Sequence, residues 1–329
     1  MTHRTLRSVL LAAGFVLLAW LIYWVGPRHI LAMAQQLGWG AGVVVGVFAA
    51  QQVTRARALY NCIVRPDGPR FVEVLLVRLS GEGMQTLTAG GAAVGEPVKA
   101  WLLTERGLTG PEGLAATLAE FLVYKLVSAT VMIAALAYLL WAVQLPAALS
   151  VAAQVMLAMG VAFLVTASVA IHRRIYLIGW ATSWLVRLPL VRRLAYDPAW
   201  TRRMEDLLLT VLRGDPARFA VVLGLSVVAH ALLVIELWWV LAQFALPSPL
   251  FHAWLIDAAT KPMGGVFFFV PGQVGTNEAV LAAVFAALGL PPAAGVVVGL
   301  ARRLRSALVA GVGMAGLWWL DRTSGRERP

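Results

Sequence analysis

Residues 267–278 read FFFVPGQVGTNE. Four large apolar residues run into Pro271, Gly272 and Gly275, and the interruption closes on Asn277 and Glu278. Apolar sequence flanks it on both sides, which places the break at membrane depth. Irregular backbone there is tolerated only inside protein or beside a water-filled cavity, because lipid cannot satisfy free N–H and C=O groups. A helix beginning at that depth turns unpaired N–H groups and the positive end of its dipole inward, where a carboxylate is favoured.

The rest of the chain supports a membrane setting. Of 329 residues, 60% are hydrophobic and 13% charged, with a mean hydropathy of +0.79. Apolar windows of about 20 residues recur along it, as bilayer-spanning helices require. The composition predicts an all-α polytopic membrane protein. Six full transmembrane helices are expected near 8–26, 38–54, 113–141, 149–171, 219–243 and 292–320. Two further apolar stretches, 71–106 and 253–290, are interrupted by glycine and predict re-entrant hairpins. The second arm of the latter, 278–290, would be about 20 Å of helix, short of a hydrocarbon core of about 30 Å. The N-terminal segment has a charged start and an apolar core but no small-x-small cleavage site, which predicts an uncleaved first helix.

The net charge of +11 does not point to nucleic acid. No DNA- or RNA-binding motif occurs, and the arginines fall into alternate loops. One set of segments carries Arg4 and Arg7; Arg55, Arg57, Arg65 and Arg70; nine Arg within 172–218; and Arg322, Arg326 and Arg328. The opposite set (26–37, 142–148 and 244–252) carries only Arg28. By the positive-inside rule both termini are cytoplasmic. Trp141, Trp238, Trp318 and Trp319 sit near span ends, as interfacial anchors do. The segment 172–218 mixes Trp180, Trp184 and Trp200 with arginine. It reads as amphipathic helices on the anionic inner leaflet or as a linker with snorkelling arginines. Asp197-Pro198 and Asp215-Pro216 are helix starts.

Sliding the sequence on itself by 182 residues lays GGAAVGEPV (90–98) on GQVGTNEAV (272–280). Gly90 meets Gly272, Glu96 meets Glu278, and each segment is followed by Gly-Leu, a proline and a long apolar helix. Glu120 falls opposite Arg302. Gly90, Gly91 and Gly95 mark the first break, Pro271, Gly272, Gly275 and Asn277 the second. Broken segments in corresponding positions of oppositely oriented halves predict an inverted repeat, about 1–141 and 149–320, in a single domain.

Charges sit where lipid would not tolerate them alone. Arg302, Arg303 and Arg305 lie well inside an apolar helix, and Glu120 and Lys125 are similarly placed in the earlier one. Intramembrane ions must be paired, hydrated or turned to an anion. In one reading Glu96, Lys99, Glu278, Arg302, Arg303 and Arg305 line a cavity that takes a lipid headgroup, phosphate suiting the arginine fork. In the other, Glu96, Glu278 and Glu120 neutralise the cations in a fixed network. Either glutamate at a helix start also stabilises the dipole without further role. His230 and Glu236 are six residues apart and do not form a pair. The single cysteine, Cys62, excludes an internal disulfide and a cysteine metal cluster. No metal-ligand spacing, nucleotide motif or nucleophile elbow occurs, so neither cofactor nor catalysis is expected.

LTAGGAAVGEPVKAWLL (87–103) and FFFVPGQVGTNEAVLAAVFAALGLPP (267–292) resemble the two signature regions of the flippase-like membrane domain of lysylphosphatidylglycerol synthases. Pro271, Gly272, Gly275 and Glu278, with Gly95, Glu96 and Lys99, carry the likeness over nearly the whole chain. The resemblance implies translocation of an amphiphilic lipid between the leaflets of the bacterial inner (plasma) membrane. The lipid class would be a phospholipid, polyisoprenoid or hopanoid; some stand-alone members are associated with hopanoid biosynthesis. The aminoacyltransferase half of those synthases is not expected here, so of the family's roles only translocation, and not lysyl transfer, is expected to carry over. The alternative is a non-transporting accessory protein of envelope-lipid biosynthesis.

Overall fold

The computed structural model describes residues 39–88, 90–142, 144–186, 197–242, 249–261 and 276–324. Among them every regular element is an α-helix: α1 (Trp39–Cys62), α2 (Phe71–Leu87), α3 (Ala92–Thr104), α4 (Gly110–Ala142), α5 (Ala147–Arg173), α6 (Leu177–Leu185), α7 (Pro198–Arg213), α8 (Pro216–Ala242), α9 (Pro249–Thr260), α10 (Thr276–Ala287) and α11 (Pro292–Ser324). The expected span 8–26 and the break residues Pro271, Gly272 and Gly275 lie outside the described residues.

Local sequence explains where these helices begin. Thr109-Gly110-Pro111-Glu112 starts α4, and the Glu112 carboxylate reaches back to accept the Thr109 N–H at 2.7 Å, half of a capping box. Asp197 accepts from the Ala199 N–H at 2.9 Å, and Asp215 from Ala217 and Arg218 at 3.0 and 3.1 Å. Pro198 and Pro216 take first helical positions, where a missing N–H costs nothing. Asp197→Ala is expected to lower stability by about 1 kcal/mol, the usual value of such a cap, read as a fall in thermal midpoint of the purified protein.

Among the described residues each glycine-interrupted stretch holds two short helices. α2 and α3 have 17 and 13 residues, α9 and α10 have 12 each. Gly90 and Gly91, at φ 108° and 50°, make the turn between α2 and α3, a left-handed path that residues with a Cβ avoid. The helix start is earlier than Glu96: Pro97 lies inside α3, and Glu96 is its fifth residue. Glu96 is therefore no dipole cap, whereas Glu278 does occupy the first turn of α10.

The 182-residue offset reappears in the elements. α4 and α11 are both 33 residues long, and their first and last residues are each 182 apart. The turns before them contain Gly107 and Gly289, both with positive φ. Each long helix then brings a glycine onto the preceding short helix: a Cβ on Gly113 would stand 2.8 Å from the Ala100 carbonyl oxygen, and one on Gly295 2.7 Å from that of Leu281.

α11 shows how the two pairs are placed. Gly295 and Gly299 abut Leu281 and Glu278 of α10, while Ala310, Gly313 and Gly316 abut Gly83, Leu79 and Leu76 of α2. In each pair the contact closer in sequence to the pair's other described helix lies nearer the middle of α11. The pairs thus approach it from opposite ends. Small residues permit this, since interhelical approach in lipid relies on van der Waals packing, and Ser80 Oγ adds a hydrogen bond to the Gly313 carbonyl at 2.9 Å.

α4, α5 and α8 are long and apolar enough to cross a membrane. α5 buries Ala153, Gly160, Ala167 and Ala170 and exposes Val151, Val155, Met159, Phe163 and Val165. That surface needs lipid, not water, around it. α1 and α11, at the expected spans 38–54 and 292–320, are also long but carry buried arginines. Arg55 in particular is no cytoplasmic loop residue: it lies inside α1, 7% exposed. The segment 172–218 also differs from the expectation of helices lying on lipid. α7 turns Met204, Leu208, Val211 and Leu212 into the protein core with α4, so its apolar face is already covered. Trp180 and Trp184 of α6 stay exposed, as do Trp141, Trp238, Trp318 and Trp319 at helix ends.

Candidate functional site

Two ionic clusters occupy the helical interior. The first is centred on Glu120 of α4, whose side chain is fully buried. Its carboxylate accepts Arg55 Nε at 2.8 Å and Arg55 Nη2 at 3.2 Å, a bidentate fork from α1. Arg78 Nη1 from α2 stands 3.5 Å away and Lys99 Nζ from α3 4.0 Å away. Arg78 also pairs with Glu82 at 2.9 Å, and Lys99 with Glu96 at 2.6 Å. One carboxylate on a long helix thus ties both short helices of its pair to α1. Arg55 further stacks 3.6 Å from the Tyr124 ring centroid.

The second cluster belongs to α8–α11. Asp257 of α9 accepts Arg302 Nη2 at 3.2 Å and Lys261 Nζ at 2.5 Å. Arg302 Nη1 also donates to Thr260 Oγ1 at 3.3 Å. Arg303 binds both oxygens of Glu278, at 2.5 and 2.6 Å. Arg305 pairs with Glu236 of α8 and lies 4.1 Å from the Phe48 ring centroid.

At the 182-residue offset Glu120 of the first cluster falls opposite Arg302 of the second, an exchange of charge between the two long helices. In the first, the long helix supplies the acid (Glu120) and the short helix and α1 supply arginines. In the second, the long helix supplies arginines (Arg302, Arg305), while α9 and α8 supply Asp257 and Glu236. Buried pairs of this kind carry a large desolvation cost that only close, multiply bonded geometry offsets. Such a network is weak as a source of stability. Its weight lies in fixing how four helices meet.

Tyr124 stands between the clusters. Its ring lies 4.2 Å from that of His230, whose Nδ1 is 2.9 Å from the Ser226 carbonyl oxygen. His230 Nε2, Gln51 Oε1, Gln52 Oε1 and Glu96 Oε2 are buried without a hydrogen-bond partner among the described residues. Polar atoms in that state draw water or a ligand.

Of the two readings the sequence allows, one groups Glu96, Lys99, Glu278, Arg302, Arg303 and Arg305 around one cavity and the other pairs the cations with Glu96, Glu278 and Glu120. The structure distributes them between the two clusters and gives each an oppositely charged partner. Glu120 is a partner as expected, but of Arg55, Arg78 and Lys99, not of the three α11 arginines. Those go to Asp257, Glu278 and Glu236. Lys125 joins no ion pair among the described residues; its Nζ lies 5.4 Å from the Phe121 ring centroid. His230 and Glu236 go to separate partners, as their spacing implied. Arg78, Glu82, Asp257 and Lys261 were missed, although Arg78/Glu82 and Asp257/Lys261 are i,i+4 acid–base pairs in apolar surroundings, a readable signal.

Among the described residues no three His, Cys, Asp or Glu side chains come together as a metal site would. An apolar groove of about 280 Å³ lies between α4, α5 and α7, lined among others by Phe121, Phe163, Leu208 and Leu212, apart from the ion pairs.

The profile of one protein family, described as the lysylphosphatidylglycerol synthase TM region, matches residues 9–313. Neither a curated protein nor a solved structure matches the chain.

Proposed function

The chain belongs to the lysylphosphatidylglycerol synthase TM-region family and is an integral membrane protein, and from that premise we propose that it moves an amphiphilic lipid between leaflets without ATP. The observation that supports this reading is the two buried ionic clusters, each joining short helices to a long one, with Glu120 and Arg302 at corresponding places on the long helices. Paired broken helices in equivalent positions are how transporters place a polar site at the bilayer midplane. With α2–α3 and α9–α10 approaching α11 from opposite ends, we read the fold as an inverted repeat of two re-entrant hairpins. A headgroup would exchange with the clustered ions while its tails remain in lipid. Both termini would face the cytoplasm of a bacterial inner membrane. Neither a cofactor nor a catalytic step enters this reading, and any drive would come from the lipid gradient, the membrane potential or protons.

Reconstitution tests it. Vesicles containing the protein and a fluorescent-headgroup phospholipid should lose outer-leaflet protection from a membrane-impermeant quencher, in the absence of nucleotide, faster than protein-free vesicles. The Glu278→Gln/Arg302→Ala variant should slow this about tenfold or more, the worth of one charged contact. Equal rates for variant and wild type would sink the role given to these residues.

Exposed Trp180 and Trp184, 68% and 60% accessible, favour a second reading, an accessory protein that docks on lipid-modifying enzymes through α6. Alanine at both positions would then abolish the cellular phenotype while the Glu278/Arg302 variant retained it. Deleting the whole 172–218 segment would not discriminate, because α7 is part of the core.

A further inference from the structure

The apolar groove between α4, α5 and α7 has the reach of one lipid tail. Phe121 of α4, Phe163 and Thr166 of α5, and Leu208 and Leu209 of α7 line it, and it extends to Ile175 just past α5. From Phe163 to Arg173, the last residue of α5, is about 15 Å of helix, half of a hydrocarbon core of about 30 Å. α4 and α5 are both apolar and long enough to cross a membrane. Phe163 and Thr166 are exposed, so the groove opens along its side toward lipid. Its volume of about 280 Å³ falls just short of sites that enclose a drug-sized ligand, about 300–1,000 Å³, which leaves room for one chain and not a whole lipid. Glu205, the carboxylate that lines it, is already committed, accepting the Ile178 and Gly179 N–H groups at 2.7 and 3.0 Å.

One end of the groove is cationic. An open depression of about 630 Å³, lined by Ser168, Val169, His172, Arg173 and Ile175, meets it at Ile175. His172, Arg173 and Arg174 are exposed, and neither arginine makes an ion pair among the described residues. Asp206 of α7 instead accepts the Tyr176 hydroxyl at 2.6 Å. Arg213 of α7 donates to the Ile171 and His172 carbonyls at 3.3 and 3.0 Å, groups that the end of a helix leaves open. This holds the α7 wall against α5. Arg174 ends α5 at φ 54°, a conformation that glycine or asparagine takes with less strain.

We infer that the groove seats one acyl chain of an anionic phospholipid, whose phosphate rests against Arg173 and Arg174. An apolar channel one leaflet deep, open to lipid and cationic at its end, repeats the order of a phospholipid, tail and then phosphate. A protein segment would bring backbone N–H and C=O groups that this wall of apolar side chains cannot bond. The arginine fork suits phosphate oxygens. The site lies apart from the buried ion pairs and does not depend on the translocation reading.

Photo-crosslinking locates the occupant. The full chain in phosphatidylcholine nanodiscs receives a trace of phosphatidic acid, or of phosphatidylcholine, with a diazirine in one chain, and the labelled residues are mapped by mass spectrometry. Phosphatidic acid is chosen because its headgroup is phosphate alone. It should label Phe163 and Leu209 about tenfold more than the phosphatidylcholine probe does, while both label Val151 and Val155, exposed on α5, alike. Arg173→Gln/Arg174→Asn should cut groove labelling by phosphatidic acid about tenfold, as loss of two basic residues at an anionic headgroup implies; asparagine keeps the left-handed backbone of residue 174. Thr166→Trp fills the groove from an exposed position and should abolish the label, whereas Val165→Trp, exposed but outside the groove, should retain it. The arginine variant leaves the groove wall untouched and decides the case if either tryptophan disturbs α5. Equal groove labelling by the two probes, or unchanged labelling in the arginine variant, overturns the inference. Absence of groove label from both probes means that a protein segment or a second copy covers it, and overturns the inference as well.

Discussion

Alanine in place of Glu120 is expected to cost about 3–5 kcal/mol of folding stability, because breaking a buried pair from one side strands its partners. Three cations depend on this carboxylate: Arg55 through a bidentate fork, Arg78 at 3.5 Å and Lys99 at 4.0 Å. Arg78 and Lys99 retain Glu82 and Glu96, whereas among the described residues Arg55 retains the Tyr124 ring alone. The double variant Arg55→Gln/Glu120→Gln should therefore be more stable than the sum of its single losses predicts, as coupled neighbours are. Denaturation midpoints of the purified protein measure both. Strict additivity would mean that the fork contributes nothing.

The second large effect is steric. A Cβ on Gly313 would sit 2.2 Å from the Leu79 carbonyl oxygen, a backbone atom that cannot swing aside. Gly313→Ala must part α2 from α11, at a cost of about 1–3 kcal/mol or more. It also disturbs the Ser80–Gly313 hydrogen bond. Gly224→Ala in α8 meets nothing within 4 Å and should be neutral or stabilising, since alanine is the better helix former. The paired variants separate a specific close approach from a general intolerance of alanine. Similar midpoints for the two would show that α2 and α11 are not held at this distance.

Much of this architecture is legible in the chain because its punctuation is chemical. Asp197-Pro198 and Asp215-Pro216 announce helix starts, and the structure begins α7 and α8 there. Gly90-Gly91 announces a turn. Glu96 and Lys99, three residues apart on a helix, had to share a face. The offset of 182, supported by few identities, reappears in the bounds of two 33-residue helices. What could not be read was long-range partner choice. Nothing local tells Arg302 to take Asp257 in preference to Glu120, because the choice is made by which helices pack, and that is set by glycines such as Gly83 and Gly313. Arg55 was assigned to a loop for a related reason. Counting arginines near span ends assumes that the helix stops where the apolar run stops, yet α1 continues to Cys62.

If the two short-helix pairs open to opposite faces of the membrane, the residues just before α4 and α11 are reached from opposite sides. Thr109 and Pro291 are exposed and occupy equivalent positions, 182 residues apart, just before α4 and α11. In a Cys62→Ala background, Thr109→Cys and Pro291→Cys would be treated separately with a membrane-impermeant maleimide, in right-side-out and inside-out vesicles. Residue 109 should be labelled only from the cytoplasmic side and residue 291 only from the opposite side. Labelling of both from the same side would contradict opposed openings.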